Sequence, residues 1–353
     1  MPRMPVLLLS SLLVVTPLVA QELPAPPSTT DIPVLAPVTV SGVQPGPGLW
    51  KVSKDGHVLW LLGTTSTLPK NMQWRSEEVE RIVAGSQEVI RAPRVKFKLD
   101  VGFFGRLFLL PSAFSARKNP DGKTLDQVLP APLYARWTAL KARYIGRDHG
   151  IERWRPIFAG MELYKKALKK SGLRSGGQIE DTVESLAKQH GVKIVDATYQ
   201  LEIKDPRGAI KAFKAAGPED TECFSRTLDS VEHDLPAMAE RANAWSTGDI
   251  ATLRRLPDSR FRNACADALT ESGFARQLGI SDLPARVDAT WLATARQALG
   301  NDTQALAVLS MDQLLGPGSY LDALKAEGYA VQAPDGDDTA EPAPAASAVA
   351  PPQ

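Results

Sequence analysis

Residues 49–66 read LWKVSKDGHVLWLLGTTS, and this stretch decides how the fold begins. Two apolar runs, 49–52 and 57–62, flank a turn that contains Asp55 and Gly56, and Asp-Gly is a preferred turn dipeptide of β-hairpins. The second run is apolar without alternation, which is typical of a strand covered on both faces. The stretch therefore predicts an opening hairpin whose second strand lies inside a sheet.

Downstream of the hairpin, strand patterns alternate with helical ones. The sequence predicts strands at 88–97, 192–195, 305–311 and 329–333. It predicts helices that begin at Ser76 and Glu219, and further helices at 121–170, 179–190, 284–299 and 319–327. Strands separated by helices predict an α/β protein with a mixed central sheet flanked by helices. A helical insertion, about 208–300, should precede the final strand–helix–strand unit.

The longest helical pattern runs from Glu219 to Trp245. Its apolar residues recur three and four apart, which indicates one buried face. Pro236 lacks a backbone N–H and should kink or interrupt this helix.

The first 20 residues predict export from the cytoplasm. Arg3 precedes an apolar run of about 15 residues that ends in small residues at Ala20, which is the layout of a cleavable signal peptide. An uncleaved N-terminal anchor is the alternative. No later run reaches the roughly 20 apolar residues that a membrane span needs, so we expect a periplasmic or secreted protein without a transmembrane segment after cleavage.

Two low-complexity segments bound the predicted folded body. Residues 21–47 are rich in proline and small residues and predict an extended linker. Residues 333–353 have too little apolar surface to form a core and predict a disordered tail. The folded domain is therefore expected at 48–332.

The charge balance argues against nucleic-acid binding. The chain has 41 Lys and Arg against 40 Asp and Glu. Arg3 is the one charged residue in residues 1–20, so removal of this segment leaves 40 basic and 40 acidic residues. A neutral chain has no general attraction to nucleic acid or to anionic lipid.

Cys223 and Cys265 are the two cysteines of the chain. In an oxidising compartment such a pair predicts a disulfide, and two buried thiols that never meet are the alternative. Generic catalytic motifs such as HExxH and Gly-x-Ser-x-Gly are absent from the sequence, and the four histidines lie far apart along it.

Four stretches together resemble the TraB/GumN family, whose distant relatives include the Tiki proteases. In the family's order they are LWKVSKDGHVLWLLGTTSTLPK (49–70), QIEDTVESLAKQHGVKIVDAT (178–198), LPARVDATWL (283–292) and ALAVLSMDQLLGPGSYLDALKAEGYAV (305–331). They span nearly the whole predicted domain. The resemblance implies an α/β fold and a site at the ends of the first and last of these strands.

In the enzymatic branch of that family, the first and last stretches each end in Gly-x-x-His, and the resemblance implies that both histidines help to hold a divalent metal with nearby carboxylates. Here Ser66 stands at the first histidine position, and Met311 or Asp312 stands at the second. Hydroxyl and thioether groups are weak ligands for such metals. We therefore expect no metal site and no cofactor.

At other positions this sequence differs from the family pattern in some cases and matches it in others. The acidic residue expected after the second strand is Arg91 or Ala92, and the family's glutamate falls on Ala197. Glu180 and Arg286 stand where the family has an aspartate and an arginine. Both also have a structural interpretation, Glu180 as a first-turn helix residue and Arg286 as part of an inter-helix ion pair.

The polar residues at these strand ends still predict a cleft, because ligands of open α/β sheets bind at such ends. The candidate residues are Gly63, Thr64, Thr65, Ser66, Glu180, Arg286, Ser310 and Asp312.

Three functions follow, and whether the protein is an enzyme stays open. The first is a non-catalytic pseudoenzyme that binds a small ligand or a cell-envelope protein through the cleft. The second is a divergent hydrolase, such as a peptidase, with Asp312, Glu180 and Asp196 as alternative ligands. The third is an accessory role in cell-envelope polysaccharide processes, which rests on the family name alone.

Overall fold

The computed structural model describes residues 42–70, 72–75, 77–215, 218–256, 265 and 273–336. The predicted signal peptide, the linker up to residue 41 and the tail after residue 336 lie outside the described residues. Within the described ranges, no helix is both long enough and apolar enough to cross a membrane.

The described part of the chain alternates strands and helices. The strands are β1 (Val43–Gln44), β2 (Leu49–Lys54), β3 (His57–Thr64), β4 (Thr67–Pro69), β5 (Gln73–Trp74), β6 (Glu88–Ile90), β7 (Arg94–Leu99), β8 (Leu173–Ser175), β9 (Lys193–Val195), β10 (Thr198–Ile203), β11 (Gln304–Ser310) and β12 (Ala330–Gln332). The α-helices are α1 (Glu77–Ala84), α2 (Phe103–Ser115), α3 (Leu125–Val128), α4 (Ala131–Tyr144), α5 (Pro156–Lys170), α6 (Gln178–Gln189), α7 (Pro206–Ala215), α8 (Pro218–Asp229), α9 (Leu235–Thr247), α10 (Ile250–Arg255), α11 (Gly273–Leu278), α12 (Leu283–Asn301), α13 (Met311–Leu315) and α14 (Tyr320–Ala326).

Six strands among the described residues form the main sheet, in the order β12-β2-β3-β11-β6-β9. The first two pairings are antiparallel, and β3, β11, β6 and β9 run parallel. Helices flank this mixed sheet, so the predicted α/β class is confirmed. The predicted hairpin is also confirmed, since Asp55 (φ 53°) and Gly56 (φ 89°) form its turn in the left-handed region that such turns require.

β3 and β11 occupy the middle of the main sheet. Leu59, Leu61 and Leu62 on β3 and Leu306 and Leu309 on β11 are all fully buried. Burial of one such side chain contributes roughly 1.5–3 kcal/mol, so this pair of strands anchors the core. Coverage on both faces explains why both strands lack apolar–polar alternation.

The prediction of one strand over 88–97 is wrong. β6 ends at Ile90, and β7 starts at Arg94 and leaves the main sheet to pair in parallel with β10. Pro93 lies in the break and has no N–H to donate to a strand ladder, so the strand cannot continue through it.

The helical region is more segmented than its periodicity indicated. Instead of one helix at 121–170, short 3₁₀ turns at Pro120–Gly122 and Gly150–Arg153 separate α3, α4 and α5. The predicted kink near Pro236 is a π-helical turn, Ser230–Asp234, between α8 and α9. The predicted disulfide joins Cys223 to Cys265, so the alternative of two separate thiols is wrong.

Candidate functional site

The candidate site lies where the parallel strands of the main sheet end. Ser310, the last residue of β11, pairs with Thr64, the last residue of β3. The carboxyl ends of parallel strands meet at one sheet edge, which is the usual ligand position in open α/β folds. A cleft of about 460 Å³ opens there, lined by Thr64, Thr65, Ser66, Ala92, Pro93, Gly176, Glu180, Ser310, Asp312 and Gln313.

The structure brings six of the eight predicted residues together in this cleft. They are Thr64, Thr65, Ser66, Glu180, Ser310 and Asp312. Gly63 and Arg286 are not among the described lining residues. The sequence did not predict the other four lining residues, Ala92, Pro93, Gly176 and Gln313. A Gly-rich break before α6 and a glutamine three residues after Ser310 were signals for Gly176 and Gln313.

Ser310 has a structural task at the cleft edge. It is the N-cap of α13, where its Oγ accepts a hydrogen bond from the Gln313 backbone N–H at 3.3 Å. In return, the Gln313 Oε1 accepts one from the Ser310 N–H at 2.9 Å. This reciprocal capping box orders the start of α13 beside the cleft.

Glu180 lies in the first turn of α6, as its structural interpretation predicted. The positive end of the helix dipole stabilises a carboxylate at that position. The Thr64 hydroxyl donates to the Glu180 Oε1 at 3.4 Å, which links the end of β3 to α6 across the cleft. Glu180 therefore has both a structural partner and a position in the site.

Asp312 and Met311 have different surroundings, which separates the two candidates for the second histidine position. Met311 is fully buried, and a Cβ on Gly63 would lie 2.5 Å from the Met311 Cε. Met311 is therefore a packing residue beneath β3. Asp312 lines the cleft instead, and its Oδ1 lies 3.4 Å from the guanidinium of Arg241, a side chain that is only 2% exposed.

Gly63 contributes to the site through its backbone and its lack of a side chain. Its carbonyl accepts a hydrogen bond of 2.8 Å from the buried Trp245 Nε1, which ties α9 to the end of β3. Met311 fills the space that a side chain at Gly63 would need. Gly63 therefore contributes to the packing beside the cleft and does not line it.

Arg91 follows the end of β6 and binds two carboxylates. It donates to the Glu184 carboxylate at 2.8 and 2.7 Å and to the Asp196 Oδ1 at 2.7 Å. These hydrogen bonds raise the pKa of Arg91, and Arg91 lowers the pKa of Glu184 below its ordinary value. A cation thus stands near the sheet edge where the family resemblance implies an acidic residue.

Arg286 takes part in an ion pair, but not with another helix. It binds Asp282, the N-cap residue of its own helix α12, with nitrogen–oxygen distances of 2.9 and 2.6 Å. It also donates to the Tyr199 hydroxyl at 3.2 Å, which connects α12 to β10. Among the described residues the expected inter-helix ion pair is therefore wrong, because the carboxylate that Arg286 binds belongs to the N-cap of its own helix.

These side chains do not form the donor set that the family resemblance implies for a divalent metal. In the described part of the chain, no three His, Cys, Asp or Glu residues converge in a way that could hold a metal ion. Ser66 offers a hydroxyl in place of imidazole, and Met311 is buried beneath Gly63. Asp196 and Asp312 face the guanidinium groups of Arg91 and Arg241, whose positive charges oppose a cation at the same carboxylates.

Fold and site together define an α/β protein with a polar cleft at the carboxyl ends of parallel strands. Residues 48–333 match the model of the TraB/PrgY/gumN family, and the chain belongs to that family. Neither a curated protein nor a solved structure matches the chain.

Proposed function

We propose that this chain is an exported member of the TraB/PrgY/gumN family that binds a small polar ligand in the sheet-edge cleft without a catalytic divalent metal. The observation that carries the proposal is the donor set of the cleft. Hydroxyl groups stand at the first strand end, and the Asp312 carboxylate at the second faces a buried arginine.

The lining favours a ligand rich in hydroxyl or amide groups. Thr65, Ser66 and Gln313 can donate or accept hydrogen bonds, and Glu180 and Asp312 accept them. A volume of about 460 Å³ falls in the range of small-molecule sites. Because few apolar side chains line the cleft, hydrogen bonding rather than hydrophobic burial must provide most of the selectivity.

Metal analysis of the exported protein tests the absence of a catalytic ion. We expect zinc and manganese far below one ion per chain after dialysis, and no thermal stabilisation by added Zn²⁺ or Mn²⁺, since a ligand stabilises only when it binds the folded state. The Ser66→His variant provides a matched comparison, because it adds one imidazole. A stoichiometric ion held between Ser66 and Asp312 in the wild-type protein would overturn the proposal.

A screen of neutral sugars, amides and polyols by thermal shift tests ligand binding. The blocking variant Ser66→Trp should abolish any stabilisation, whereas Ser185→Trp on the exposed side of α6 should not. If the ligand stabilised both variants to the same extent, its binding site would lie outside the cleft.

N-terminal sequencing of the exported protein, expected to start near Gln21, tests the predicted cleavage.

A divergent hydrolase is the second candidate, because two carboxylates, Glu180 and Asp312, line the same cleft. One would have to act as a general base, since the donor set does not fit a metal. Peptide and ester substrates provide the assay. Turnover that survives both Glu180→Gln and Asp312→Asn would remove this candidate, and turnover lost in either would displace the non-catalytic proposal.

A further inference from the structure

We infer that helix α2 and the residues around it form a docking surface for an anionic lipid membrane. α2 reads FFGRLFLLPSAFS, and five of its large apolar side chains are exposed. Phe108 is 72% exposed and Phe114 is 69% exposed, whereas Leu109 is 6% exposed. Among the described large apolar side chains of α2, Leu109 is the one that is buried.

The exposed large apolar side chains lie on one face of α2. We call the apolar face the set Phe104, Leu107, Phe108, Leu110 and Phe114. At 3.6 residues per turn these positions fall within an arc of about 160°, centred opposite Leu109. Leu109 is therefore on the buried side of the helix, and the apolar face lies on the opposite side. A continuous exposed surface of this kind marks an interaction site.

Basic residues are concentrated in the stretch of chain that carries α2. Residues 94–118 contain six Lys or Arg and one Asp, a net charge of +5 within a chain that is nearly neutral. Lys96 and Lys98 are exposed on β7, and Arg117 and Lys118 are exposed just after α2. The expectation from whole-chain charge, that anionic lipid is not attracted, therefore does not describe this region.

Helix α7 adds further positive charge beside α2. It contains Arg207, Lys211 and Lys214 and no acidic residue. The Lys214 Nζ donates to the Ser115 Oγ at 2.6 Å, so α7 lies against the end of α2. Cations thus flank α2 along the chain and also stand on α7, the helix that contacts its end.

The charge pattern favours a lipid surface over a second copy of the chain. A two-fold dimer through the apolar face would place the same basic border against itself, and like charges oppose such contact. An anionic bilayer gains from both features, because phenylalanine and leucine enter the interfacial region while lysine and arginine contact headgroups. The surface would hold the cleft protein at a membrane through α2 and the cations near it.

A fluorescent probe on the apolar face tests this inference directly. Because Cys223 and Cys265 are joined in a disulfide, an introduced cysteine is the only free thiol. An environment-sensitive dye is attached to Leu107→Cys, and to Met161→Cys as a control, since Met161 is 54% exposed on α5. Both proteins are then mixed with vesicles of phosphatidylglycerol and phosphatidylcholine, or of phosphatidylcholine alone.

We expect a blue-shifted and brighter emission at position 107 with the anionic vesicles, and no change at position 161. The charge reversals Lys96→Glu and Lys211→Glu, made together in the Leu107→Cys protein, should weaken the vesicle affinity on the order of tenfold or more. Circular dichroism of each variant confirms folding.

Three results would overturn the inference. The first is an unchanged emission at position 107 with anionic vesicles. Attachment through the N-terminal residues alone would give this same result. The second is an equal response to neutral vesicles. The third is a blue shift that depends on protein concentration without vesicles, which would indicate self-association.

Discussion

Arg91 and Glu184 face each other with two nearly parallel hydrogen bonds, 2.8 and 2.7 Å long, between the guanidinium and the carboxylate. Arg91 follows β6 and Glu184 lies on α6, so the pair fastens a helix to the sheet edge beside the cleft. Their side chains are 26% and 18% exposed, which limits solvent screening of the pair.

Loss of this pair should destabilise the fold in a pH-dependent way. Arg91→Met removes the hydrogen bonds and leaves Glu184 without its partner, so we expect the free energy of unfolding to fall by about 2 kcal/mol at pH 7. Glu184 has a lowered pKa in the folded state. Its stabilising contribution is therefore present above its unfolded pKa, about 4.3, and is lost as the pH falls through the folded pKa.

Urea unfolding at a series of pH values measures this effect. The wild-type stability should fall more steeply below about pH 4.3 than that of Arg91→Met. Arg296→Met is the matched control, because Arg296 binds Glu327 at 2.7 and 2.6 Å but with side chains that are 42% and 35% exposed. A surface pair is worth less than about 1 kcal/mol. Equal losses in the two variants would contradict the special role of Arg91.

A side chain at Gly63 should collide with Met311. The added Cβ would lie 2.5 Å from the Met311 Cε and 3.1 Å from the Leu314 Cδ1, both in the core. We expect Gly63→Ala to cost about 1–3 kcal/mol of stability, as overpacking does. In a Met311→Ala background the same substitution should cost far less, because the space is then free. Additive losses in this double-mutant cycle would refute the contact.

Asp312 should stabilise the buried guanidinium of Arg241. Asp312→Asn removes the negative charge 3.4 Å from that group, and we expect a loss of about 1–2 kcal/mol. In an Arg241→Met background the effect of Asp312→Asn should nearly vanish, since the buried cation is gone. Thermal or urea unfolding of the four proteins gives the coupling energy. A coupling energy near zero would show that Asp312 does not stabilise Arg241, and ligand binding would be its one remaining role.

The disulfide should contribute a large share of the stability of the helical insertion. It closes a loop with a sequence separation of 42 residues, for which loop entropy predicts roughly 4 kcal/mol. Urea unfolding with and without reductant measures the difference, and the double variant Cys223→Ser, Cys265→Ser should match the reduced protein. Free thiols in non-reducing peptide mapping of the exported protein would contradict the bond.

Local patterns predicted the elements that depend on neighbouring residues. The turn at Asp55 and Gly56 and the α6 helix with Glu180 in its first turn both agree with the structure. The disulfide, which joins residues 42 apart, was predicted instead from the number of cysteines and the expected compartment. The prediction of one strand at 88–97 failed because its apolar pattern continues through Pro93, whereas the hydrogen-bond ladder of a strand cannot. The outward-facing helix α2 was missed, because an apolar pattern alone does not tell a buried face from an exposed one.

Chain composition and short-range spacing determined by themselves that this protein has an α/β core, an opening hairpin and polar residues after its strands. Only the tertiary structure decided that Ser310 would meet Thr64 and that Arg91 would bind Glu184, 93 residues away. The physical reason is that spacings of two and 3.6 residues report which face of an element is apolar. Parallel pairing and long-range ion pairs depend instead on how those faces are buried against one another.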